Sequence, residues 1–336
     1  MVNDHVVILG GGVIGFTSGI ALLEKQASEA AGSSTELQVT VVSRDLPPAL
    51  QPAAASSSTG NSCPPAASAE ETDYPAGYAS IWAGAHHVSD AKTPTQRRWD
   101  RHTFERMVEL EREKPWRSYY PEESSAQPIV WVNQVETWQC WEGEGKPWDG
   151  VIDWYPDVRC GVISPKQTCA DPSSSMQFRE LAPEELPPGC ALGCEFSTLD
   201  INVPLYLPWL RARFESLGGQ VVRATVGSIA DAVELAAKKQ SGNAPNRVIV
   251  APGLGAAQLQ EVKDPHMQSV RGQVLRISAP HCVARDIKQC WQTSRNSKHR
   301  YTGFSRVCDK GFRDCYILPM GDGTFVVGGT RLFDDW

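Results

Sequence analysis

Apolar and polar positions repeat with two different periods over the first fifty residues. His5–Gly10 (HVVILG) is an apolar run of strand length. Phe16, Ile20 and Leu23 then recur at helical spacing. Val39–Val42 (VTVV) is a second run of strand length. The pattern predicts a βαβ unit with parallel strands, because crossovers of this kind are almost always right-handed connections between parallel strands.

The same periodicities predict further elements along the chain. Thr95–Glu113 and Pro204–Leu217 have the spacing of amphipathic helices, and Trp99, Phe104 and Leu110 are the candidate inward residues of the first. The predicted strands are Ile129–Cys140, Val221–Val226, Arg247–Ala251, Gln273–Ile277, Cys315–Leu318 and Thr324–Val327, of which the last two form a hairpin.

The order of these elements predicts an α/β protein with two interleaved domains. A parallel-type strand pair returns late in the chain, which two domains joined head to tail would not produce. We predict a Rossmann-type nucleotide-binding domain from residues 1–112 and 205–262. A smaller domain with a mixed or antiparallel sheet is predicted from residues 113–204 and 263–336. Leu46–Ala69 is rich in Ala, Pro and Ser, so we predict a flexible loop at 46–72.

The composition of the chain excludes several classes of binding partner. Hydrophobic residues make up 41% and charged residues 21% of the chain, which suffices for a core and excludes global disorder. A net charge of −7 gives no basic excess for nucleic acid or an anionic membrane surface. Apolar runs reach strand length only, and the polar start MVNDH does not resemble a signal peptide.

The cysteines do not have the spacing of a metal site. The chain has ten cysteines but no C-x-x-C pair, and no histidine accompanies Cys190 and Cys194. We therefore expect no zinc or other metal, and we interpret the cysteines as reduced thiols.

A glycine-rich turn joins the first strand to the first helix. It reads Gly10-Gly11-Gly12-Val13-Ile14-Gly15, the G-x-G-x-x-G pattern. Gly10 permits the tight turn, Gly12 admits a pyrophosphate close to the backbone, and Gly15 allows close packing of helix on strand. The turn predicts a dinucleotide site, with a merely tight strand–helix connection as the alternative. Asp45 follows the second strand, either to bind the ribose or to cap a turn.

Seven segments together resemble the D-amino-acid oxidase family, which includes D-aspartate oxidase. The resemblance covers essentially the whole chain and implies an FAD-binding domain with a substrate domain. It implies oxidative deamination of D-amino acids to 2-oxo acids with release of ammonia and hydrogen peroxide. The segments are HVVILGGGVIG, SRDLP, YASIWAGAHH, FSTLDINVPLYLPWL, VIVAPGLGA, RGQVLRISAP and YILPMGDGTFVVGGT.

The resemblance also assigns cofactor contacts. The glycine turn, with Pro252 and Gly253, would adjoin the FAD pyrophosphate, although the family usually has Thr-Gly at those two positions. The remaining contacts are Arg44 and Asp45 at the ribose, Val226 at the adenine, and Ala79, Ser80 and Ile81 beside the flavin ring. A tight, close-packed turn is the alternative interpretation of Tyr78–Ala85.

For the substrate, the resemblance points to two aromatic side chains. Phe196 falls where some relatives have a pocket tyrosine, and Tyr206 either holds the substrate carboxylate or is a core residue. We expect no catalytic acid–base residue, because hydride transfer to a flavin requires a fixed substrate pose above all. The expected partners are a small D-amino acid and O2, with no nucleic acid and no membrane, and a homodimer is left open.

The sequence departs from the family pattern beyond the GGT strand. The family has an arginine that clamps the substrate carboxylate and a Gly-His-Gly-rich turn, and no segment of this sequence matches either. We therefore expect the 336-residue chain to bind FAD weakly and to oxidise slowly. The peroxisomal tripeptide is also missing, so peroxisome and cytoplasm are both kept. Two other functions stay open, which are an amine oxidase of glycine- or sarcosine-like substrates and a catalytically silent relative.

Overall fold

A computed structural model describes most of the chain. The described residues are 4–29, 37–52, 74–75, 77–89, 91–121, 127–152, 154–155, 178–240, 243–279, 301–307, 313–330 and 332–333. The predicted loop at 46–72 lies outside this set from residue 53 to its end.

Within these residues the chain forms fourteen strands and four α-helices. The helices are α1 Val13–Glu29, α2 Pro94–Glu113, α3 Val203–Ser216 and α4 Ile229–Lys239. The strands are β1 Asp4–Leu9, β2 Leu37–Ser43, β3 Ala85–His86, β4 Ile129–Trp138, β5 Phe178–Glu180, β6 Leu192–Ile201, β7 Gln220–Arg223, β8 Arg247–Val250, β9 Val270–Arg271, β10 Val274–Ser278, β11 Tyr301–Val307, β12 Arg313–Pro319, β13 Thr324–Gly328 and β14 Leu332–Phe333.

The chain divides into two compact units. The first consists of Met1–Ala83, Val203–Val270 and Phe333–Trp336, and the second of Gly84–Asn202 and Arg271–Leu332. The unit borders therefore fall after residues 83, 202, 270 and 332, where we predicted domain borders after 112, 204 and 262. The second unit is the larger by residue count, although we predicted the smaller domain there.

The first unit is built on a parallel sheet with strand order β7-β2-β1-β8. β1 pairs in parallel with both β2 and β8, and β2 pairs in parallel with β7. The predicted βαβ unit is thus confirmed. Helix α4 packs on β1, β2 and β7, where Val7 and Val42 share a core cluster with Ala232 and Ala236. Helices α1 and α3 pack against each other through an edge-to-face contact of Phe16 and Phe214, with ring centroids 5.7 Å apart.

The second unit is built on an eight-stranded mixed sheet. Its strand order is β10-β13-β12-β11-β4-β6-β3, and β5 also pairs with β6, next to the part of β6 that pairs with β3. The pairs are antiparallel except for β11 on β4, which is parallel. The predicted hairpin of the last two strands is confirmed as β12–β13. The fold class is therefore α/β, with a Rossmann-type sheet interleaved with a mixed sheet.

Helix α2 packs on β4, and three of its apolar side chains are buried. Phe104 is fully buried, Val108 and Leu110 are nearly so, and the Phe104 ring meets Trp131 edge to face at 6.3 Å. The prediction that Trp99 faces inward is wrong, because its side chain is 61% exposed.

Among the described residues, no helix combines the length and the apolar character that a membrane crossing requires.

Candidate cofactor-binding site

A cavity of about 880 Å³ lies in the first unit, at the carboxyl ends of its parallel strands. Its volume falls within the range typical of small-molecule sites, roughly 300–1,000 Å³. Ligands of open α/β sheets bind at this edge, where the chain turns to opposite sides of the sheet. The lining includes most of the residues predicted from the sequence, namely Gly10, Gly11, Gly12, Ile14, Arg44, Asp45, Ala79, Ser80, Val226, Pro252 and Gly253.

The first glycine of the turn has a conformation and surroundings that exclude other residues. Gly10 has a φ of +122°, and its amide donates to the carbonyl of Val42 at 2.9 Å. A Cβ atom on Gly10 would overlap the carbonyl oxygen of Ala251. Glycine is therefore required here for the backbone to leave β1 and enter α1.

The third position of the motif keeps space open at the N-terminus of α1. A Cβ on Gly12 would lie 2.8 Å from the hydroxyl of Ser80, and apart from its chain neighbours no other residue that the structure describes would come within 4 Å of it. The Ser80 hydroxyl accepts a hydrogen bond from the Val13 amide at 3.2 Å. Because the N-terminal end of a helix favours anions, the cradle of Gly12, Val13 and Ser80 suits a phosphate.

The sequence did not indicate that a buried tyrosine would support this turn. The Tyr78 hydroxyl donates to the carbonyl of Gly11 at 2.8 Å, and Tyr78 is only 7% exposed. Burial, followed by the influence of Tyr74 and Asp45, raises the pKa of Tyr78 above its ordinary value of 10.0. The phenol thus remains a donor at neutral pH and ties the 77–82 segment to the glycine turn.

The charged end of the cavity follows β2. The Arg44 Nε donates to Asp45 Oδ2 at 2.9 Å, and the Arg44 side chain is 54% exposed whereas that of Asp45 is 19% exposed. The second Asp45 oxygen and the outer guanidinium nitrogens retain hydrogen-bonding capacity toward a ligand. This pair supplies the polar groups that a ribose would need.

Three predicted cofactor residues do not line the cavity, and several unpredicted ones do. The Val13 amide donates to the Ser80 hydroxyl, while Gly15 packs where a Cβ would overlap the Gly10 carbonyl oxygen. Ile81 is likewise absent from the lining. The lining residues that sequence reasoning did not assign to the cofactor are Leu9, Val42, Ser43, Gly77, Tyr78, Ala224, Thr225, Val250, Ala251, residues 254–259, Met267 and Ser269.

The two predicted substrate residues lie in different units. Phe196 is fully buried on β6 in the second unit, with its ring edge-on to Tyr155 at 5.5 Å. Tyr206 is 8% exposed on α3 in the first unit, with its ring 5.4 Å from that of Trp209.

The second unit also contains buried titratable groups. His86 Nδ1 lies 2.6 Å from Asp200 Oδ1, with side chains 7% and 0% exposed. Burial raises the pKa of Asp200, and the neighbouring His86 opposes that rise. His87 Nδ1 lies 2.7 Å from the Tyr155 hydroxyl, and burial, aided by His86, lowers the pKa of His87 to about 4. Across the described ranges, no group of three or more His, Cys, Asp or Glu residues is placed to hold a metal ion.

The cavity fits an adenine dinucleotide such as FAD. The glycine cradle leaves room for a pyrophosphate beside helix amides, and the Arg44–Asp45 pair offers partners to a ribose. The volume and the position at the carboxyl edge of the sheet agree with that ligand class.

Comparisons with known proteins identify the family. The model of the FAD dependent oxidoreductase family (DAO) matches residues 5–336. A D-amino-acid oxidase of Fusarium vanettenii is 27% identical over 336 residues, covering 99% of this chain and 73% of its own length. A D-aspartate oxidase of Cryptococcus neoformans var. grubii is 27% identical over 340 residues, covering 98% of this chain and 67% of its own length.

Among solved structures, the L-amino acid deaminase of Proteus myxofaciens shares the fold. It has a TM-score of 0.51 and 13% identity, and the match covers 99% of this chain and 60% of the deaminase. The resemblance stated from the sequence segments is confirmed, and the chain belongs to the FAD dependent oxidoreductase (DAO) family, with FAD as its cofactor.

Proposed function

We propose that the protein oxidises D-amino acids to 2-oxo acids, with dioxygen as the electron acceptor and ammonia and hydrogen peroxide as products. The observation that carries this proposal is the match of nearly the whole chain to two curated oxidases whose names specify D-substrates. The FAD dependent oxidoreductase family supplies the reaction type, and the relatives' names support the choice of D-amino acids.

In this proposal the first unit is the cofactor domain. The glycine turn and the N-terminal amides of α1 hold the pyrophosphate, Arg44 and Asp45 bind the ribose, and the backbone at Val226 meets the adenine. Pro252 and Gly253 close the pyrophosphate side, and Ala79, Ser80 and Ile81 lie beside the flavin ring. The cavity supports this assignment. Every residue named, except Ile81, either lines the cavity or belongs to the first turn of α1 beside it.

The chemistry that FAD supplies when bound is acceptance of a hydride from the substrate Cα and transfer of two electrons to dioxygen. The task left to the chain is to orient the Cα–H bond and to exclude water from the reacting atoms. Phe196 and Tyr206 are proposed to contact the substrate. No acid–base residue of the chain is assigned, because the imino acid product hydrolyses in water to the 2-oxo acid and ammonia.

The test combines a spectrum with a substrate panel. The purified chain, supplied with FAD, is freed of unbound cofactor, and its visible spectrum is recorded before and after anaerobic addition of D-alanine, D-aspartate, L-alanine, glycine or sarcosine. Peroxide release is followed in air with the same panel. We expect bleaching of the flavin band and peroxide formation with at least one D-isomer, and neither with L-alanine.

Two outcomes would contradict the proposal. Bleaching by glycine or sarcosine alone would indicate the other class of amine oxidase. A retained flavin band that no amino acid bleaches would indicate a catalytically silent relative. Comparison of D-alanine with D-aspartate then decides between a neutral and an acidic substrate.

A further inference from the structure

Two segments that line the cofactor cavity meet beside the start of α4. Residues 224–226 follow β7, residues 253–259 follow β8, and both segments line the cavity. Leu259 is only 3% exposed, and it shares an apolar cluster with Val226 and Ile229. This part of the cavity wall therefore depends on contacts between two segments that lie outside the parallel sheet.

Hydrogen bonds directly after Leu259 fasten the second segment to the first turn of α4. The Gln260 amide donates to the carbonyl of Gly227 at 3.0 Å. The Glu261 carboxylate accepts from the Ile229 amide at 2.9 Å and from the Ala230 amide at 3.3 Å. Glu261 thus joins the end of the 253–259 segment to the helix that begins just after residues 224–226.

The charge of Glu261 suits this position. Its bond from the Ile229 amide holds the pKa of the carboxyl group below the ordinary value of 4.5, although the neighbouring Asp231 opposes that shift. The side chain is therefore a carboxylate at neutral pH, and negative charge is favourable at the N-terminal end of a helix. Bonds from amides to a charged acceptor are also stronger than bonds between neutral groups.

We propose that Glu261 is a positioning residue for the adenine part of FAD. Glu261 does not line the cavity itself. Through the first turn of α4 it holds residues 253–259 against residues 224–226, so this wall is in place before the cofactor binds. A wall that is already ordered loses less conformational freedom on binding, which strengthens the affinity. The inference rests on the proposed function in one respect, the placement of the adenine at Val226.

The experiment measures binding to the full chain freed of cofactor. FAD is titrated by its fluorescence, and ADP, which has the adenine, the ribose and the phosphates but no flavin, is titrated by calorimetry. We expect Glu261→Ala to bind both ligands several-fold more weakly than the unmodified chain. Circular dichroism and urea unfolding show that each variant is folded under the conditions of the titration.

Ser228→Ala is the matched control. The Ser228 hydroxyl caps the same helix by accepting from the Asp231 amide at 3.0 Å, but this bond does not reach residues 253–261. Ser228→Ala should therefore lower stability and keep the affinity for FAD and ADP. Equal weakening of ligand binding in Ser228→Ala and Glu261→Ala would overturn the proposal, because it would show that a general loss of stability explains the effect.

Two conservative variants test the reach of the carboxylate. Glu261→Gln keeps the length of the side chain and one acceptor oxygen, so its affinity for ADP should lie between those of the unmodified chain and Glu261→Ala. Glu261→Asp keeps the charge but is one methylene shorter, so it should bind ADP as weakly as Glu261→Ala. Unmodified affinity in Glu261→Asp would contradict a role that depends on bridging the two segments.

A bulky variant in the wall separates failure of this inference from failure of the adenine placement. Thr225 is exposed, lines the cavity and precedes Val226. If Thr225→Trp blocks ADP binding and Glu261→Ala binds ADP like the unmodified chain, only the role of Glu261 is wrong. If Thr225→Trp binds ADP normally, the placement of the adenine at Val226 is wrong, and the proposed role of Glu261 fails with it. Neither titration involves an amino acid substrate, so the choice of substrate does not affect the result.

Discussion

A carbon atom added at Gly12 should affect ligand binding more than it affects folding. Within the protein, the added carbon meets only the side chain of Ser80, a flexible contact that can move. The fold should therefore tolerate a side chain at this position better than the ligand does. At Gly10, by contrast, both the positive φ and the Ala251 carbonyl oppose any side chain, so a substitution there affects folding as well as binding.

We predict that Gly12→Val abolishes FAD retention while the chain stays folded. The isopropyl group would fill the space that a pyrophosphate needs beside the α1 amides. Retention is measured from the flavin absorbance of desalted protein, and folding from far-ultraviolet circular dichroism. Gly272→Val is the matched control, because a Cβ there meets only the Thr330 carbonyl oxygen at 3.7 Å.

The variants Ser80→Ala and Gly12→Val/Ser80→Ala test why Gly12→Val loses FAD. If the methyl groups act on the ligand, the double variant stays empty of FAD while Ser80→Ala alone keeps at least part of it. Recovery of FAD in the double variant would show that the contact with Ser80, and not the pyrophosphate space, explains the loss.

A second prediction concerns the buried imidazole of His87. Its pKa of about 4 lies below the ordinary 6.5, so between these values the unfolded chain binds more protons than the folded chain. The contribution of His87 to the free energy of unfolding is therefore fully present above pH 6.5, and it decreases as the pH is lowered toward 4. This difference in proton binding lowers the free energy of unfolding by about 2 kcal/mol between pH 7.5 and pH 5. We expect His87→Gln to remove this part of the pH dependence, as measured by urea unfolding of the second unit at both pH values.

His266→Gln is the control for that measurement, because the His266 side chain is 92% exposed. Its loss of stability on acidification should equal that of the unmodified chain. An unchanged pH dependence in His87→Gln would contradict the assignment of the titrating group.

At the residue scale, contacts made by the residues of a sequence motif could be predicted, whereas contacts from other parts of the chain that hold the motif in place could not. The glycine turn predicted its own position because strand, glycines and helix follow one another in the chain. Tyr78 opens the YASIWAGAHH segment, but its hydrogen bond to Gly11 was not predictable, because it spans 67 residues of sequence.

At the scale of elements, α4 depends on its N-terminal cap. Ser228 is 7% exposed, and its hydroxyl accepts from the Asp231 amide at 3.0 Å. The Glu261 carboxylate accepts from the Ile229 amide at 2.9 Å and from the Ala230 amide at 3.3 Å. These contacts occupy the first free amides of a helix whose Ala232 and Ala236 pack on the parallel sheet.

We predict that Ser228→Ala destabilises the first unit by about 1 kcal/mol, the usual cost of losing a serine cap. The measurement is equilibrium unfolding by urea, followed by circular dichroism. Ser28→Ala is the control, since Ser28 is exposed in the last turn of α1, where its hydroxyl makes a local bond to the Lys25 carbonyl at 2.7 Å. Equal stability of Ser228→Ala and the unmodified chain would mean that Glu261 alone satisfies the helix start.

Helix α4 and strand β6 were not predicted, for different reasons. Ser228 and Asp231 form the S-x-x-D signal of a helix start, so the sequence contained a sign that was overlooked. β6 has no such sign, because it is buried on both faces and includes Glu195, Ser197 and Asp200. Polar residues of β6 have partners on neighbouring segments, Glu195 with Asn133 and Arg179, and Asp200 with His86, so the strand lacks the usual alternation of apolar and polar positions.

At the scale of the molecule, the interleaved order of the elements was sufficient to predict two units that each take distant parts of the chain. Their borders were less predictable. α2 belongs to the second unit because Phe104 packs on the mixed sheet, which is a tertiary contact that helical periodicity does not specify. The assignment of the units to cofactor and substrate stays a proposal.

The last prediction is that FAD stabilises the whole chain by mass action. A ligand that binds only the folded state adds RT ln(1 + [L]/Kd), about 2.7 kcal/mol at a hundredfold excess over Kd. The thermal midpoint of apoprotein should therefore rise with the logarithm of FAD concentration. NAD should raise it far less, because the family to which the chain belongs is FAD dependent.

The variants assign that stabilisation to the glycine cradle. Gly272→Val should show the same rise with FAD as the unmodified chain, and Gly12→Val should show none. A rise of equal size in Gly12→Val would place FAD elsewhere than the described cavity. A larger shift with NAD than with FAD would contradict the assigned cofactor. Because the midpoint reports binding without turnover, either result would stand whether or not the protein oxidises D-amino acids.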